Sequence, residues 1–323
     1  MINANTLPVD IEEMRLWAEG YKEQFDLSWV DFGKACSIPP GTLQPWVKGN
    51  YNGDNAKLAR QMFRFRQTIQ AKSEREVGLL VDPGYFPTPT SQRLHALAVM
   101  AQTGRICVAG TGPGTGKTMM MREYAAQAEP VWQATMKKST RKLVAALQVV
   151  QASLGLKVRP TYMYPSALSR EIADYVKGRN GLLIVDEANH LDVDAIEELR
   201  AIHDETGVGL LLLGNEELIS MITSGRKRDQ FARLNSRIAY RHVQPVPLQG
   251  DVDAFCEAWG VTDPGMQKLL ARIGLTPGTG GLRECRQVLQ LASFIAADAG
   301  RAVTLADLKD AQADRTTQFL NAA

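Results

Sequence analysis

The segment Gly110-Thr111-Gly112-Pro113-Gly114-Thr115-Gly116-Lys117-Thr118 sets four glycines ahead of a lysine and a threonine. These residue types suit the capture of a phosphate. Backbone N–H groups of Gly114, Thr115 and Gly116 can converge on an anion at a helix N-terminus. Lys117 can reach the β and γ oxygens of a nucleoside triphosphate, and the Thr118 hydroxyl can hold Mg²⁺. The usual spacing is G-x-x-x-x-G-K-[ST]. Its first glycine falls at residue 111, which is Thr, flanked by Gly110 and Gly112. That slot begins the turn, so no positive φ is expected of it. Gly112, Gly114, Thr115, Gly116, Lys117, Thr118 and Met119 are the candidate nucleotide-binding residues.

Two further segments end apolar runs in polar groups. Gly181-Leu-Leu-Ile-Val-Asp186-Glu187 is a short buried strand finishing in two acids. Ionised carboxylates at such a place need a partner, because burial without one is costly. Asp186 is expected to hold the Mg²⁺ together with Thr118, and Glu187 to polarise an attacking water. Gly209-Leu-Leu-Leu-Leu-Gly214-Asn215 is the third. Asn215 can bond the γ-phosphate or the water, or merely cap the helix that follows.

The elements that must position these groups follow from the alternation of helical patterns with short apolar runs over residues 93–248. The runs are RICVAG, PVWQATM, GLLIVDE and GLLLLGN, a pattern that argues for a parallel sheet covered by helices. The phosphate loop lies between the first run and a helix from about Lys117 to Gln127. The expected organisation is an N-terminal helical domain (1–80), a linker (81–92) with Pro83, Pro87, Pro89 and Gly84, an α/β core (93–250) and a C-terminal helical domain (251–323). The 323 residues exceed one ordinary core. Cys36, Cys107, Cys256 and Cys285 are scattered without a C-x-x-C pair, which argues against a disulfide framework or zinc knuckle and fits a reducing cytoplasm. No apolar run approaches the roughly 18 residues of a membrane span. The net charge of +2 excludes nothing.

These motifs, in this order, resemble the AAA+ ATPases: Walker A, Walker B with its DE pair, then sensor 1. The resemblance spans about residues 90–300. It implies a doubly wound α/β nucleotide-binding core, a helical lid, ATP and Mg²⁺, and hydrolysis between neighbouring subunits of a homo-oligomer. Phe231-Ala-Arg233-Leu-Asn-Ser236-Arg237-Ile238 resembles the segment that supplies an arginine finger, with Arg237 the first candidate and Arg233 the second. Gly280-Gly281-Leu282-Arg283-Glu284 resembles the sensor 2 helix, in which Arg283 would contact the phosphates.

The N-terminal region has the layout of a helix-turn-helix over Val30–Gly49. Phe32, Ala35, Ile38, Leu43, Trp46 and Val47 are its expected core, and Thr42, Gln44 and Lys48 the residues a recognition helix could present. Pro45 departs from that pattern and predicts a short or kinked second helix. A protein-docking module is the competing reading. Residues 1–31 hold seven acids and two bases, whereas residues 32–75 hold two acids and eight bases, including Arg60, Arg64, Arg66, Lys72 and Arg75. A helix over Asn55–Glu76 would carry these bases opposite Met62 and Phe63. Within the core, Lys137, Lys138, Arg141 and Lys142 surround Ser139 and Thr140 after the second strand. This group suits a phosphate backbone without base readout. A second basic loop is Gly225-Arg-Lys-Arg228.

This domain order resembles the transposition target-capture ATPases of the phage Mu B type. The resemblance implies ATP-dependent filaments or rings on double-stranded DNA, delivery of that DNA to a transposase, and the cytoplasm of a bacterial host carrying a phage or prophage. A helicase loader or replication-initiation ATPase would share every AAA+ motif. A transcriptional regulator with an ATP switch would need a defined operator, against which Pro45 counts.

Overall fold

The computed structural model describes residues 9–76, 80–157, 164–224 and 228–320. Two compact units divide the chain: Met1–Leu79 with Ala297–Arg301, and Leu80–Ala296 with Ala302–Ala323.

The first unit contains α1 (Ile11–Gln24), α2 (Trp29–Cys36), α3 (Pro40–Val47) and α4 (Asn55–Glu76). The Asp10 carboxylate accepts the N–H groups of Glu12 and Glu13 at 2.8 and 3.1 Å and so starts α1. Such a cap contributes about 1 kcal/mol. Ser28 caps α2 in the same way. α2 and α3 meet through Ser37, Ile38 and Pro39. α3 has only eight residues, with Pro40 in its first turn and Pro45 inside it. Its core residues Leu43, Trp46 and Val47 pack with Phe32, Ile38, Met14 and Met62. Ala35 departs from the expected core: it is exposed, and Cys36 is buried instead. The reason is helical phase, because Phe32 and Cys36 stand four residues apart on one face of α2.

The second unit begins with α5 (Pro89–Gln102), β1 (Ile106–Thr111), α6 (Lys117–Gln127), β2 (Val131–Thr135), α7 (Leu143–Ser153) and α8 (Pro165–Val176). It continues with β3 (Leu182–Asp186), α9 (Val193–Thr206), β4 (Gly209–Gly214), α10 (Glu216–Thr223), α11 (Ala232–Arg237) and β5 (Ile238–Gln244). The five strands form one parallel sheet in the order β2-β3-β4-β1-β5. Alternate residues of each strand feed opposite layers. Ile106, Val108, Leu183, Val185, Leu210 and Leu212 join the core under α7 to α10. Cys107, Ala109, Leu182, Ile184, Leu211 and Leu213 join the core under α5 and α6. Burial on both faces explains why β1, β3 and β4 read as continuous apolar runs.

α12 (Gln249–Ala258), α13 (Pro264–Leu275), α14 (Leu282–Asp298) and α15 (Leu305–Leu320) follow the sheet. Phe255, Trp259, Leu270, Val288, Leu289 and Leu308 are among the residues of their separate core. Leu80 and, within the segment expected as a linker, Phe86 pack on that core, so the linker has an apolar anchor. Gly225, Arg226 and Lys227 of the second basic loop lie outside the described residues. Among the described residues, no helix is long and apolar enough to cross a membrane.

Candidate nucleotide-binding site

The first helical turn of α6 follows directly on the glycine-rich loop at the carboxyl end of β1, where open parallel sheets bind ligands. Thr111 is the last residue of β1 and is fully buried. Its hydroxyl shares a hydrogen bond with that of Thr115 at 2.7 Å, and Thr115 donates to the Gly112 carbonyl at 2.9 Å. Gly114 and Gly116 take positive φ and Thr111 does not, so a threonine is tolerated in the slot.

Two of the glycines are required by close neighbours. A Cβ on Gly112 would lie 1.8 Å from the Pro245 carbonyl oxygen. A Cβ on Gly114 would lie 1.9 Å from the Gly280 carbonyl oxygen and 2.9 Å from the Arg283 nitrogen. The turn leading into α14 therefore rests on the phosphate loop, and the Leu282 N–H donates to the Gly114 carbonyl at 3.2 Å.

Lys117 donates from Nζ to the carbonyls of Thr111 and Gly112 at 2.6 and 3.2 Å. Burial pulls its pKa below the ordinary lysine value; Glu187 and Asp186 oppose that shift and Arg283 adds to it. Four charged groups thus share one field. Asp186 ends β3 and is 2% exposed. Its carboxylate accepts the Thr118 hydroxyl at 3.3 Å and the Glu187 N–H at 2.9 Å. Burial raises the Asp186 pKa; the Glu187 N–H bond lowers it, the Glu187 charge raises it, and Lys117 and Thr118 lower it. Glu187 sits at φ 55, ψ 36. That left-handed conformation is uncommon outside glycine and clusters at functional positions.

Asn215 caps α10, its Oδ1 accepting the Glu217 N–H at 3.0 Å. The capping role is therefore present, and the side-chain NH₂ group remains as the donor that Asn215 can offer to a ligand. Asn189, which nothing in the sequence singled out, accepts the Asn215 N–H at 3.3 Å and links the Glu187 turn to β4.

Lys117, Thr118, Glu187, Asn215 and Arg283 line one cavity of about 680 Å³, within the usual range for small-molecule sites. Its polar lining includes residues of the phosphate loop from Pro113 to Met119, with Glu187, Asn215 and Arg283. Tyr85, Phe86, Phe255 and Trp259 also line it, and ring contacts join Phe86, Phe255 and Trp259 into an aromatic wall. Sequence reasoning missed this wall. The four-residue interval between Phe255 and Trp259 was a signal for a shared helical face, but Tyr85 and Phe86 sit among prolines and glycine. Asp251 secures the junction beside the cavity. It is fully buried and accepts the Thr90 N–H at 2.8 Å, the Thr90 hydroxyl and the Leu248 N–H at 2.7 Å. Gln244 donates its side-chain amide to the same threonine, and its carbonyl accepts the Gly112 N–H at 2.9 Å.

The remaining candidates lie elsewhere. Arg237 and Arg233 are exposed on α11 and do not line this chain's cavity. Arg237 donates to Asp204 at 3.0 Å. Lys137, Lys138, Arg141 and Lys142 are exposed after β2. A 3₁₀ turn over Lys138–Thr140 shapes this loop, which starts beside Asp186: the Met136 N–H donates to the Asp186 carbonyl at 2.9 Å. The Asp192 N–H fastens the loop's far end to the Arg141 carbonyl at 2.9 Å. In the first unit, Lys48 is exposed and Thr42 and Gln44 are half-buried on α3. Arg64 is exposed on α4, and Arg66 on the same helix pairs with Glu13 at 2.7 Å.

Comparison with known proteins places this geometry. Residues 101–222 match the AAA domain model, and residues 236–314 match the model described as the Mu B transposition protein, C terminal. The chain is 30% identical over 296 residues to the ATP-dependent target DNA activator B of Escherichia phage Mu, covering 91% of this chain and 92% of the relative. It is 31% identical over 262 residues to the Mu-like prophage FluMu DNA transposition protein B of Haemophilus influenzae, covering 80% and 88%. Among solved structures, Cdc6p from Pyrobaculum aerophilum has a TM-score of 0.56 at 16% identity, covering 73% of this chain and 72% of its own. The Aeropyrum pernix ORC1 protein in complex with DNA has a TM-score of 0.55 at 18% identity, covering 74% and 69%. The two structures share the doubly wound AAA+ fold with this chain.

Proposed function

We propose, from the premise that this chain belongs to the Mu B transposition-protein family, that it is an ATPase whose nucleotide state controls its grip on target DNA and the delivery of that DNA to a transposase. The observation that carries this reading is the convergence of Lys117, Thr118, Glu187, Asn215 and Arg283 on one cavity, with Asp186 hydrogen-bonded to Thr118. Relatives named for ATP-dependent target DNA activation align with nine-tenths of the chain.

In this reading the adenine end of ATP lies against the aromatic wall and the phosphates lie over Gly114 to Thr118. Lys117 exchanges the loop carbonyls for phosphate oxygens. The Thr118 hydroxyl and Asp186 carboxylate are hard oxygen donors already within hydrogen-bonding distance, a set that fits Mg²⁺. When bound, Mg²⁺ neutralises charge on the phosphates. Glu187 orients and polarises the attacking water, and the Asn215 amide donates to that water or to the γ-phosphate. Arg283 stabilises the phosphates from the lid. Arg237, with Arg233 as the alternative, serves the site of a neighbouring copy, which accounts for its exposure away from its own cavity.

Lys137, Lys138, Arg141 and Lys142 hold the phosphate backbone of duplex DNA, without base readout and with strong salt dependence. The support is positional, because the loop is bonded at one end beside Asp186 and at the other to Asp192. Thr42, Gln44, Lys48 and Arg64 of the N-terminal unit are further candidate DNA contacts. ATP closes a filament or ring on DNA, and hydrolysis releases it in the cytoplasm of a bacterial host. The helicase-loader alternative draws on the shared AAA+ motifs and on a fold shared at 16% and 18% identity with two solved structures. Lys117→Ala tests the reading: nucleotide binding and ATP-dependent DNA retention are lost together. Retention of DNA by a nucleotide-free variant would sink the proposed control of DNA grip by nucleotide.

A further inference from the structure

The last helix of the unit reaches back to the residue beside Arg283. The Arg315 guanidinium on α15 donates from Nε and Nη2 to the two oxygens of Glu284, each at 2.7 Å. The side chains are 23% and 18% exposed. A two-bonded arginine–carboxylate pair fixes orientation as well as distance. Its hydrogen bonds to Glu284 also raise the Arg315 pKa.

Glu284 lies in the first turn of α14, next to Arg283. The same turn is also fixed by the phosphate loop. The Leu282 N–H bonds to Gly114, and a Cβ on Gly281 would stand 2.6 Å from the Pro113 carbonyl. The start of α14 is thus held between the phosphate loop and α15. The clamp is not what attaches α15, because Leu308 and Ala311 are buried in the helical core and Arg272 donates to Gln312 at 3.4 Å.

We infer that Glu284 and Arg315 are positioning residues for ATP hydrolysis: through this clamp α15 sets the placement of Arg283 at the phosphate end of the cavity. The inference rests on the role proposed above for Arg283.

The test is steady-state ATP hydrolysis by the full chain with Arg315→Ala, Arg315→Lys, Gln312→Ala, Arg283→Ala and Arg283→Ala/Arg315→Ala, each below its measured Tm. Arg315→Ala lowers kcat about tenfold, as a misplaced group near the chemistry does. Arg315→Lys restores part of that loss. Gln312→Ala, which cuts the Arg272–Gln312 bond of α15, leaves kcat within about twofold. In the Arg283→Ala background, Arg315→Ala adds less than about twofold, because the two act through one group. Equal losses in Arg315→Ala and Gln312→Ala would reduce the clamp to general stability. Full wild-type activity in Arg315→Ala, or effects that multiply in the double variant, would overturn it. A fully active Arg283→Ala would instead remove the role of Arg283, and the clamp with it.

Discussion

Gly114→Ala separates two demands that the phosphate loop makes on its glycines. At φ +68 an alanine bears left-handed strain of about 1–2 kcal/mol. Its Cβ would also stand 1.9 Å from the Gly280 oxygen, where ordinary contact begins at 3.4 Å, so the lid turn must retreat by about 1.5 Å. That retreat stretches the 3.2 Å bond from Leu282 to Gly114 beyond bonding range, at a further cost of about 0.5–1.5 kcal/mol. It also moves Arg283 away from the phosphates. Gly116→Ala is the control, since φ there is +91 and no atom lies within 4 Å of the added Cβ. Both variants melt below the wild type. Gly114→Ala melts lower by roughly a further 2–4 °C per kcal/mol and loses about a hundredfold in kcat. Thermal unfolding and ATP hydrolysis measured in parallel decide the matter. Equal melting temperatures and equal kcat in the two variants would refute the contact between lid and loop as the reason for Gly114.

Three other expectations use different parts of the site. Asp186→Asn abolishes Mg²⁺-dependent hydrolysis yet raises Tm at neutral pH in the absence of nucleotide. The sign follows from burial, which lifts the folded pKa above the unfolded value of about 3.9. Ionised Asp186 therefore costs stability above its folded pKa, and the Tm gain must shrink as pH falls toward 4. A gain independent of pH would contradict that cause. Glu187→Gln binds ATP and stays on DNA; rapid ATP-driven release measured by fluorescence anisotropy would argue against its assignment. Alanine at Lys137, Lys138, Arg141 and Lys142 together weakens duplex binding and lowers the slope of log K against log salt by up to about 3.6, if all four meet phosphates. An unchanged slope would move the DNA site to another surface, with Thr42, Gln44, Lys48 and Arg64 next in line.

The part of this architecture legible in the sequence was the part carried by local pattern. The glycine-rich loop, the Asp186-Glu187 pair and Asn215 each end a continuous apolar run, because β1, β3 and β4 are buried on both faces. Strand order was not legible, since the placement of β5 beside β1 depends on pairing across more than a hundred residues. The aromatic wall was hidden for a related reason. Prolines and a glycine made residues 81–92 resemble a spacer, and only the fold brings Tyr85 and Phe86 to the same cavity as Phe255 and Trp259. Asn189 joins Asn215 across 26 residues, and Arg315 joins Glu284 across 31, with no local spacing to announce either pair. In the N-terminal unit the helical pattern was readable, but a small error of phase exchanged Ala35 for Cys36 in the core.

In the proposed function, ATP gates assembly on duplex DNA. Electron microscopy of the purified full chain tests it most directly, with long duplex DNA and with single-stranded DNA, each with and without ATP. The expected result is ordered multi-subunit assemblies on duplex that require ATP and are missing with Lys117→Ala. Duplex binding that ignores nucleotide, or discrete rings that favour single strands, would contradict it.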